Sequence, residues 1–346
     1  MTGANVNQEP LVTIVVSPRD RFSVAQEALL GIFEHTTAPY RLVYVDGAAP
    51  RALREWIAAQ VEARGFELVS SERFLTPNEA RNIGLRRART PYVVFIENDV
   101  ICSPGWLEPL LACAQETGVD VVAPLTCQHL PLHTQVHQAG GLFTSDVAAF
   151  FAAPQGERII DEAIHHQGDT VDAVPAGRVE TQCCEFHCAL VRRDVFERIG
   201  EFDEQMVNTK DHLDFSMSVI ATGGKVLLEP RSVVTFLLPN RVRPLVAQDW
   251  PFFLVRWSPS RQQRSFERFQ TKWGLKSDQA YLKRRDRKLY WRYEEGIVKP
   301  ILKRLPLVQR VPILARAVGA LVRRGVYAAG AVLTFRADHH RIRSRA

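Results

Sequence analysis

Uninterrupted apolar runs, rather than alternating ones, mark the strands of this chain. Leu11 to Val16 reads LVTIVV and breaks into the polar loop Ser17, Pro18, Arg19 and Asp20; Tyr92 to Asp99 reads YVVFIEND and passes from core to acid within one residue. Runs without a two-residue period belong to strands buried on both faces. Shorter runs, Arg41 to Val45, Phe66 to Val69 and Val119 to Ala123, fall between stretches of helical spacing such as Leu53, Ile57 and Val61. Ser23 with Gln26 predicts a capping box for a helix through Phe33, Thr76 with Pro77 and Glu79 predicts another start, and Ser103 with Pro104 a third. Strand alternating with helix over the first 125 residues predicts a parallel sheet with helices on both faces.

From Pro124 to Thr181 the periodicity lapses into Gln, His, Gly and Ala, apart from a strand near Gly141 to Phe143. A stretch this long is either a functional insertion or holds elements that the pattern does not reveal. Regularity returns with Cys183 to Val191, read as a strand, and with RRDVFERIG, a short helix. Asp211 to Ala221 is a predicted helix ending at Gly223 and Gly224. It carries Leu213, Met217 and Ile220 on one face and Asp211 with Asp214 on the other, away from the core.

Composition changes little in this picture: 46% hydrophobic and 24% charged residues in 346 exclude a disordered chain. The N-terminus has no leader pattern, and no charge-free apolar run reaches the roughly 18 residues of a membrane span. The expected place is the cytoplasm. Six cysteines do not form a disulfide framework in a chain of this length, so reduced thiols are expected. On a strand, Cys184 and Cys188 would face away from Cys183 and His187, which argues against zinc at CCEFHC; His187 shares a face with Glu185 and is a candidate for the acceptor pocket. Charge is uneven. Residues 299 to 346 hold eleven Lys or Arg against Asp338, a balance of +10, which leaves −4 for the rest. Nucleic acid is therefore not an expected partner of the main body, whereas the tail reads as a basic amphipathic helix for an anionic membrane surface, or as a helix buried on a partner subunit.

Ligands of open α/β sheets bind beyond the carboxyl ends of the strands. That rule puts Glu97 and Asp99 at the floor of a site, where a hard divalent cation carrying a diphosphate needs only one or two protein carboxylates.

LVTIVVSPRDR, YVDGA, ARNIGLRRARTPYVVFIEND, LVRRDVFERIGEFDE and DHLDFSMSVIATGGKVLLEP, in that order over residues 11 to 235, resemble the family 2 glycosyltransferases. The resemblance implies an α/β fold of GT-A (Rossmann-like) type, a mostly parallel sheet flanked by helices; beyond it, residue spacing and charge read as a helical, basic C-terminal extension. It implies a nucleotide-sugar donor held on Mn²⁺ or Mg²⁺, and a glycan or lipid-linked acceptor. Carried over residue by residue, Ser17 and Arg19 belong to the nucleotide loop, Asp46 contacts base or ribose, and Arg81 lies near base or diphosphate. Asn98 sits within the metal motif whose acids are Glu97 and Asp99. Asp211, or after it Asp214, is the general base. The sequence departs from the family pattern in three places: ExD replaces DxD, Asp46-Gly47-Ala48 replaces Asp-Asp-Gly, and Asp211-His212 replaces Glu-Asp. VVTFLLPN also lacks the His that often completes the metal shell.

The implied division is a donor half at 1–125, an acceptor half at 126–240, a helical extension at 241–298 and the tail at 299–346. Trp250 and Trp257 in the extension either flank an acceptor or pack the extension on the sheet. Asp278 to Tyr293 reads as a solvated helix. Two other readings stand beside the transferase: a scaffold of the same fold without turnover, and a sugar nucleotidyltransferase, whose Gly-rich, Lys-bearing loop is missing from SPRDRF.

Overall fold

The computed structural model describes residues 9–240, 243–277, 287 and 289–343. Among these, ten strands form one mixed sheet flanked by helices. The strands are β1 Val12–Ser17, β2 Tyr40–Gly47, β3 Glu67–Ser71, β4 Tyr92–Glu97, β5 Val100–Cys102, β6 Val121–Gln128 and β7 Gln135–Gln138, with β8 Gly141–Phe143 and β9 Glu162–Ile164 as a separate pair, then β10 Val179–Thr181, β11 Cys188–Arg192 and β12 Val226–Phe236. The main path runs β10-β12-β6-β11-β4-β1-β2-β3; β1 to β4 pair in parallel, and antiparallel β11 follows β4.

Both faces of the central strands are covered, which is why their sequences do not alternate. Val12, Ile14, Val94 and Ile96 pack into one layer with α1 (Ala25–His35), α2 (Arg51–Glu62) and α4 (Leu107–Thr117). Val15, Val93 and Phe95 point the other way, toward α3 (Pro77–Arg87), α6 (Val195–Ile199) and α7 (Asp211–Ala221). Helix α3 comes so close that a Cβ on Gly84 would lie 2.1 Å from Val15 Cγ1, so only glycine allows the helix to seat on β1. Its N-terminus is the capping box read from the sequence, with Thr76 and Glu79 each satisfying the other's backbone N–H.

Elsewhere the local signals fail. Ser23 does not cap α1; the backbone N–H groups of Phe22 and Ser23 both donate to Asp249 Oδ1 at 2.9 Å, so a carboxylate from the C-terminal extension holds the turn that leads into the helix. Helix α4 starts at Leu107 rather than at Ser103, and β11 starts only at Cys188, which leaves Cys183 to His187 in a buried loop. All six cysteines are free and buried.

The segment 125–181 contains β7 to β10 and the short helix α5 (Val147–Ala152). The extension adds α8 (Trp250–Arg256) and α9 (Pro259–Trp273), then short helices at Lys299–Lys303 and Pro306–Gln309, and a terminal helix at Pro312–Arg343. Phe266, Phe269 and Trp273 of α9 pack on Leu213 and Met217 of α7, while Trp257, Tyr293 and Val326 share a second cluster. Of the helix expected at Asp278 to Tyr293, residues 278–286 and 288 lie outside the described residues; 289–293 are helical. By length and composition alone, and with Arg316, Arg323 and Arg324 inside it, Pro312–Asp338 is long and apolar enough to cross a membrane.

Candidate active site at the tip of the central strand

Pairing fixes the floor of the site. Ser17, the last residue of β1, stands in register with Glu97, the last of β4, and its carbonyl accepts the Asn98 N–H at 2.9 Å. Asn98 then ties down the loop after β1: its Oδ1 accepts the Arg19 N–H at 2.9 Å and its Nδ2 donates to the Arg21 carbonyl at 3.1 Å. Ser17 and Asn98 thus shape the loop through contacts within the protein.

Glu97 is the hub of the site. Its Oε1 accepts Arg19 Nη1 at 2.8 Å and Arg81 Nη2 at 3.2 Å, and its Oε2 lies 2.7 Å from His187 Nδ1. Burial pushes the carboxyl up, but Arg19, His187 and Arg81 together outweigh it and hold Glu97 below the usual range. Arg81 is wholly buried, lies 4.1 Å over the Phe186 ring, and sends Nη1 to Asp211 Oδ2 at 2.6 Å. One guanidinium therefore links the tip of β4 to the start of α7. Asp211 would be raised by burial, yet Arg81, His212 and Arg19 keep it well below the usual carboxylate range.

Asp99 differs. Its Oδ2 accepts the Asp20 N–H at 3.3 Å, but its Oδ1 is buried without a hydrogen-bond partner. Burial, with the charges of Asp20 and Glu97 nearby, pushes its carboxyl up to about 7. Asp20, in contrast, is saturated by Arg292 Nη1 at 2.9 Å, Trp257 Nε1 at 2.9 Å and Arg256 Nε at 3.3 Å. The extension therefore closes over the β1 loop, and its contacts here were not legible in the local sequence.

The helical-wheel reading of α7 needs correction, because both acids are buried rather than facing away from the core. Asp211 points to Arg81, whereas Asp214 is held under α9 by Trp273 Nε1 and Lys272 Nζ, each at 2.8 Å. Asp46 also stands apart from the cluster, its Oδ1 accepting the Ala49 N–H at 2.7 Å and its Oδ2 paired with Arg54 Nε at 2.9 Å. The structure thus gathers Arg19, Arg81, Glu97, Asn98, Asp99 and Asp211, and leaves Asp46 and Asp214 on separate partners.

Beside this cluster opens a cavity of about 600 Å³, lined by Arg19, Glu185, Asp211, His212, Trp257 and Arg292 among others. Trp257 reaches it and Trp250 does not. His212 Nε2 lies 3.1 Å from Glu162 Oε1; burial lowers its pKa, but Glu162 and then Asp211 more than reverse this, raising it from 6.5 to about 9. The folded protein thus holds this proton more tightly than the unfolded chain, so the pair's stabilisation is complete below pH 6.5 and is lost as pH rises through about 9. In metal-free protein the difference in urea unfolding free energy between wild type and Glu162→Gln should therefore shrink between these two limits; a difference that stays constant would contradict the assignment. His137, Glu162 and Arg292 escaped sequence reasoning, the first two because segment 125–181 has no period to carry them.

The family model for glycosyl transferase family 2 matches residues 13–200. The pre-mycofactocin glycosyltransferase of Mycobacterium tuberculosis is 24% identical over 239 residues, 68% of this chain and 45% of the relative. Polypeptide N-acetylgalactosaminyltransferase 15 of Mus musculus is 28% identical over 187 residues, 53% of this chain and 27% of the relative. The chain thus spans less than half the length of these curated relatives. Among solved structures, GalNAc-T7 with UDP, GalNAc and Mn2+ superposes with a TM-score of 0.52 at 14% identity, covering 86% of this chain and 58% of that one, which speaks for a shared GT-A-like fold. With a match over more than half of its length, set on this sheet and its acidic strand tip, the chain belongs to glycosyl transferase family 2.

Proposed function

We propose that the protein is an inverting glycosyltransferase that moves a sugar from a nucleotide diphosphate to a glycan or lipid-linked acceptor, with 1–125 as donor half and 126–240 as acceptor half. The observation that carries this reading is the buried, unpartnered Oδ1 of Asp99 beyond the end of β4. A carboxylate crowded by Asp20 and Glu97 is relieved by a cation, so the residues present fit a divalent ion, Mn²⁺ or Mg²⁺, through Asp99. Both oxygens of Glu97 are committed to Arg19, Arg81 and His187, and Glu97 therefore acts behind the ligand, orienting the site. When bound, the cation neutralises the charge that develops on the departing diphosphate.

The chain's own residues do the rest. Arg19 brings positive charge to the same edge of the cavity as Asp211. The acceptor hydroxyl attacks the anomeric carbon, the bond to the diphosphate breaks, and the hydroxyl proton passes to Asp211. Its low pKa, set against burial mainly by Arg81, keeps it ionised at neutral pH. Asp214, fully engaged by α9, is second choice. Asp211→Asn should lower transfer by roughly 10²–10⁴-fold while donor binding stays near wild type, as measured by nucleotide diphosphate release and donor titration across UDP-, GDP- and dTDP-sugars. Full transfer by Asp211→Asn would move the base elsewhere, and absence of any donor turnover in wild type would favour the scaffold reading.

An acceptor presented at an anionic membrane surface is supported by the terminal helix, whose outward side exposes Ile313, Leu321, Val332 and Phe335 near the exposed Arg316, Arg324 and Arg336. The protein would then sit on the inner face of the plasma membrane. Leu321→Glu with Phe335→Glu, both at exposed positions, should abolish cosedimentation with anionic vesicles; unchanged cosedimentation would remove this role.

A further inference from the structure

We propose that His137, Glu185 and His187 form a second divalent-metal site, separate from Asp99, that takes a first-row transition cation such as Zn²⁺ on the wall of the cavity. His137 comes from β7, while Glu185 and His187 come from the buried loop that leads into β11. Their ligand atoms all lie within 4.8 Å of one another. His187 Nε2 is 2.8 Å from Glu185 Oε2, and His137 Nε2 is 3.5 Å from the same oxygen. Ligands held at about 2.1 Å from one ion stand roughly 3.0–3.4 Å apart across octahedral to tetrahedral angles, the spacing approached here.

The chemistry of the imidazoles supplies the second, independent observation. His187 is 1% exposed and its Nε2 has no hydrogen-bond partner, although Glu185 Oε2 is close by; the oxygen does not lie where a ring N–H would point. A buried imidazole nitrogen 2.8 Å from a carboxylate oxygen, without a well-directed hydrogen bond between them, has the spacing of two ligands that share one cation. The opposite nitrogens are both held: His187 Nδ1 lies 2.7 Å from Glu97 Oε2, and His137 Nδ1 lies 3.1 Å from Gln128 Oε1. That is the outer-shell arrangement of ligating histidines, in which an acceptor on one ring nitrogen fixes the tautomer and turns the other toward the metal. Phe236, stacked at 3.9 Å on His187, fixes the ring plane.

Two imidazoles and one carboxylate suit Zn²⁺, Fe²⁺, Mn²⁺ or Co²⁺ better than Mg²⁺ or Ca²⁺, which favour all-oxygen shells. His137 and Glu185 line the cavity, so the positions left open on the ion face it, where a water or a sugar hydroxyl would complete the shell. Glu97 then serves both sites: it stands beside Asp99 and holds the ring of His187. The Glu162–His212 pair adjoins Glu185.

The test uses full-length, chelator-stripped protein without nucleotide, titrated with Zn²⁺ against a chromophoric chelator. Wild type and Asp99→Asn should each bind one equivalent, while His137→Gln and Glu185→Gln should bind at least roughly 10-fold more weakly with unchanged circular dichroism. X-ray absorption at the zinc edge of the wild type, which needs no variant to fold, should report two imidazoles and a carboxylate. No binding by wild type, a shell without two imidazoles, or an equivalent lost in Asp99→Asn but kept in His137→Gln would each overturn the proposal. The last of these would assign the ion to the donor site and leave the proposed transferase reading standing.

Discussion

Arg81→Met should lower the unfolding free energy by about 3–5 kcal/mol at neutral pH, the cost of breaking a buried ion pair from one side. Arg81 is 0% exposed and donates to Asn78 Oδ1 at 2.8 Å, Asp211 Oδ2 at 2.6 Å and Glu97 Oε1 at 3.2 Å. Removing it does not strand these acids equally. Glu97 keeps Arg19 and His187, whereas Asp211 loses its shortest charged contact and is left with His212 Nδ1 at 3.9 Å from Oδ1. The loss should therefore depend on pH. Asp211 is held well below its ordinary value of 3.8 despite burial, mainly by Arg81, so its contribution is present above that value and fades as pH falls toward the folded pKa. Urea unfolding of wild type and Arg81→Met should differ most near neutrality, with the gap narrowing in acid. A difference below about 1 kcal/mol at neutral pH would mean that the pair is not the buried link described here.

The same network marks the limit of what the sequence could reveal. Strand β4 was legible because an apolar run ending in Glu97, Asn98 and Asp99 is a local pattern, and the start of α3 was legible because Thr76, Pro77 and Glu79 satisfy one another within four residues. The resemblance places Arg81 near base or diphosphate; that it spans from Glu97 to Asp211 follows only from tertiary packing. Asp214 shows the reverse failure. A helical wheel gives its direction on α7 but not what lies beyond, and the missing neighbour is α9, which supplies Lys272 and Trp273 from 58 and 59 residues away. The turn leading into α1 is held by Asp249, more than 220 residues distant, so no reading of Ser23 and Gln26 would have found it. His137 was invisible for a simpler reason: β7 has four residues, too few to show a period.

The extension also changes how the site is understood. Asp20 was read as part of a polar loop, yet it is the anchor on which Arg256, Trp257 and Arg292 converge. Burial would raise its pKa, but Arg292, then Arg19 and Arg256, bring it below the usual value. Asp20 is saturated in this way, whereas the neighbouring Asp99 keeps a buried oxygen without a hydrogen-bond partner, the one through which a cation is proposed to bind.

That difference makes Asp99 the residue on which the account rests. In the wild type, a nucleotide-sugar donor with Mn²⁺ should raise thermal stability, by about 2.7 kcal/mol at a donor concentration 100 times Kd, because it binds only the folded protein. Nucleotide diphosphate should be released in the same sample. Asp99→Ala removes the carboxylate with the unpartnered oxygen, together with a repulsive neighbour of Asp20 and Glu97, and should remain folded. The decisive measurement is donor-induced thermal shift with Mn²⁺ on wild type and Asp99→Ala in parallel. The account predicts a clear shift in the wild type and none in the variant, whereas equal shifts in both proteins would contradict it.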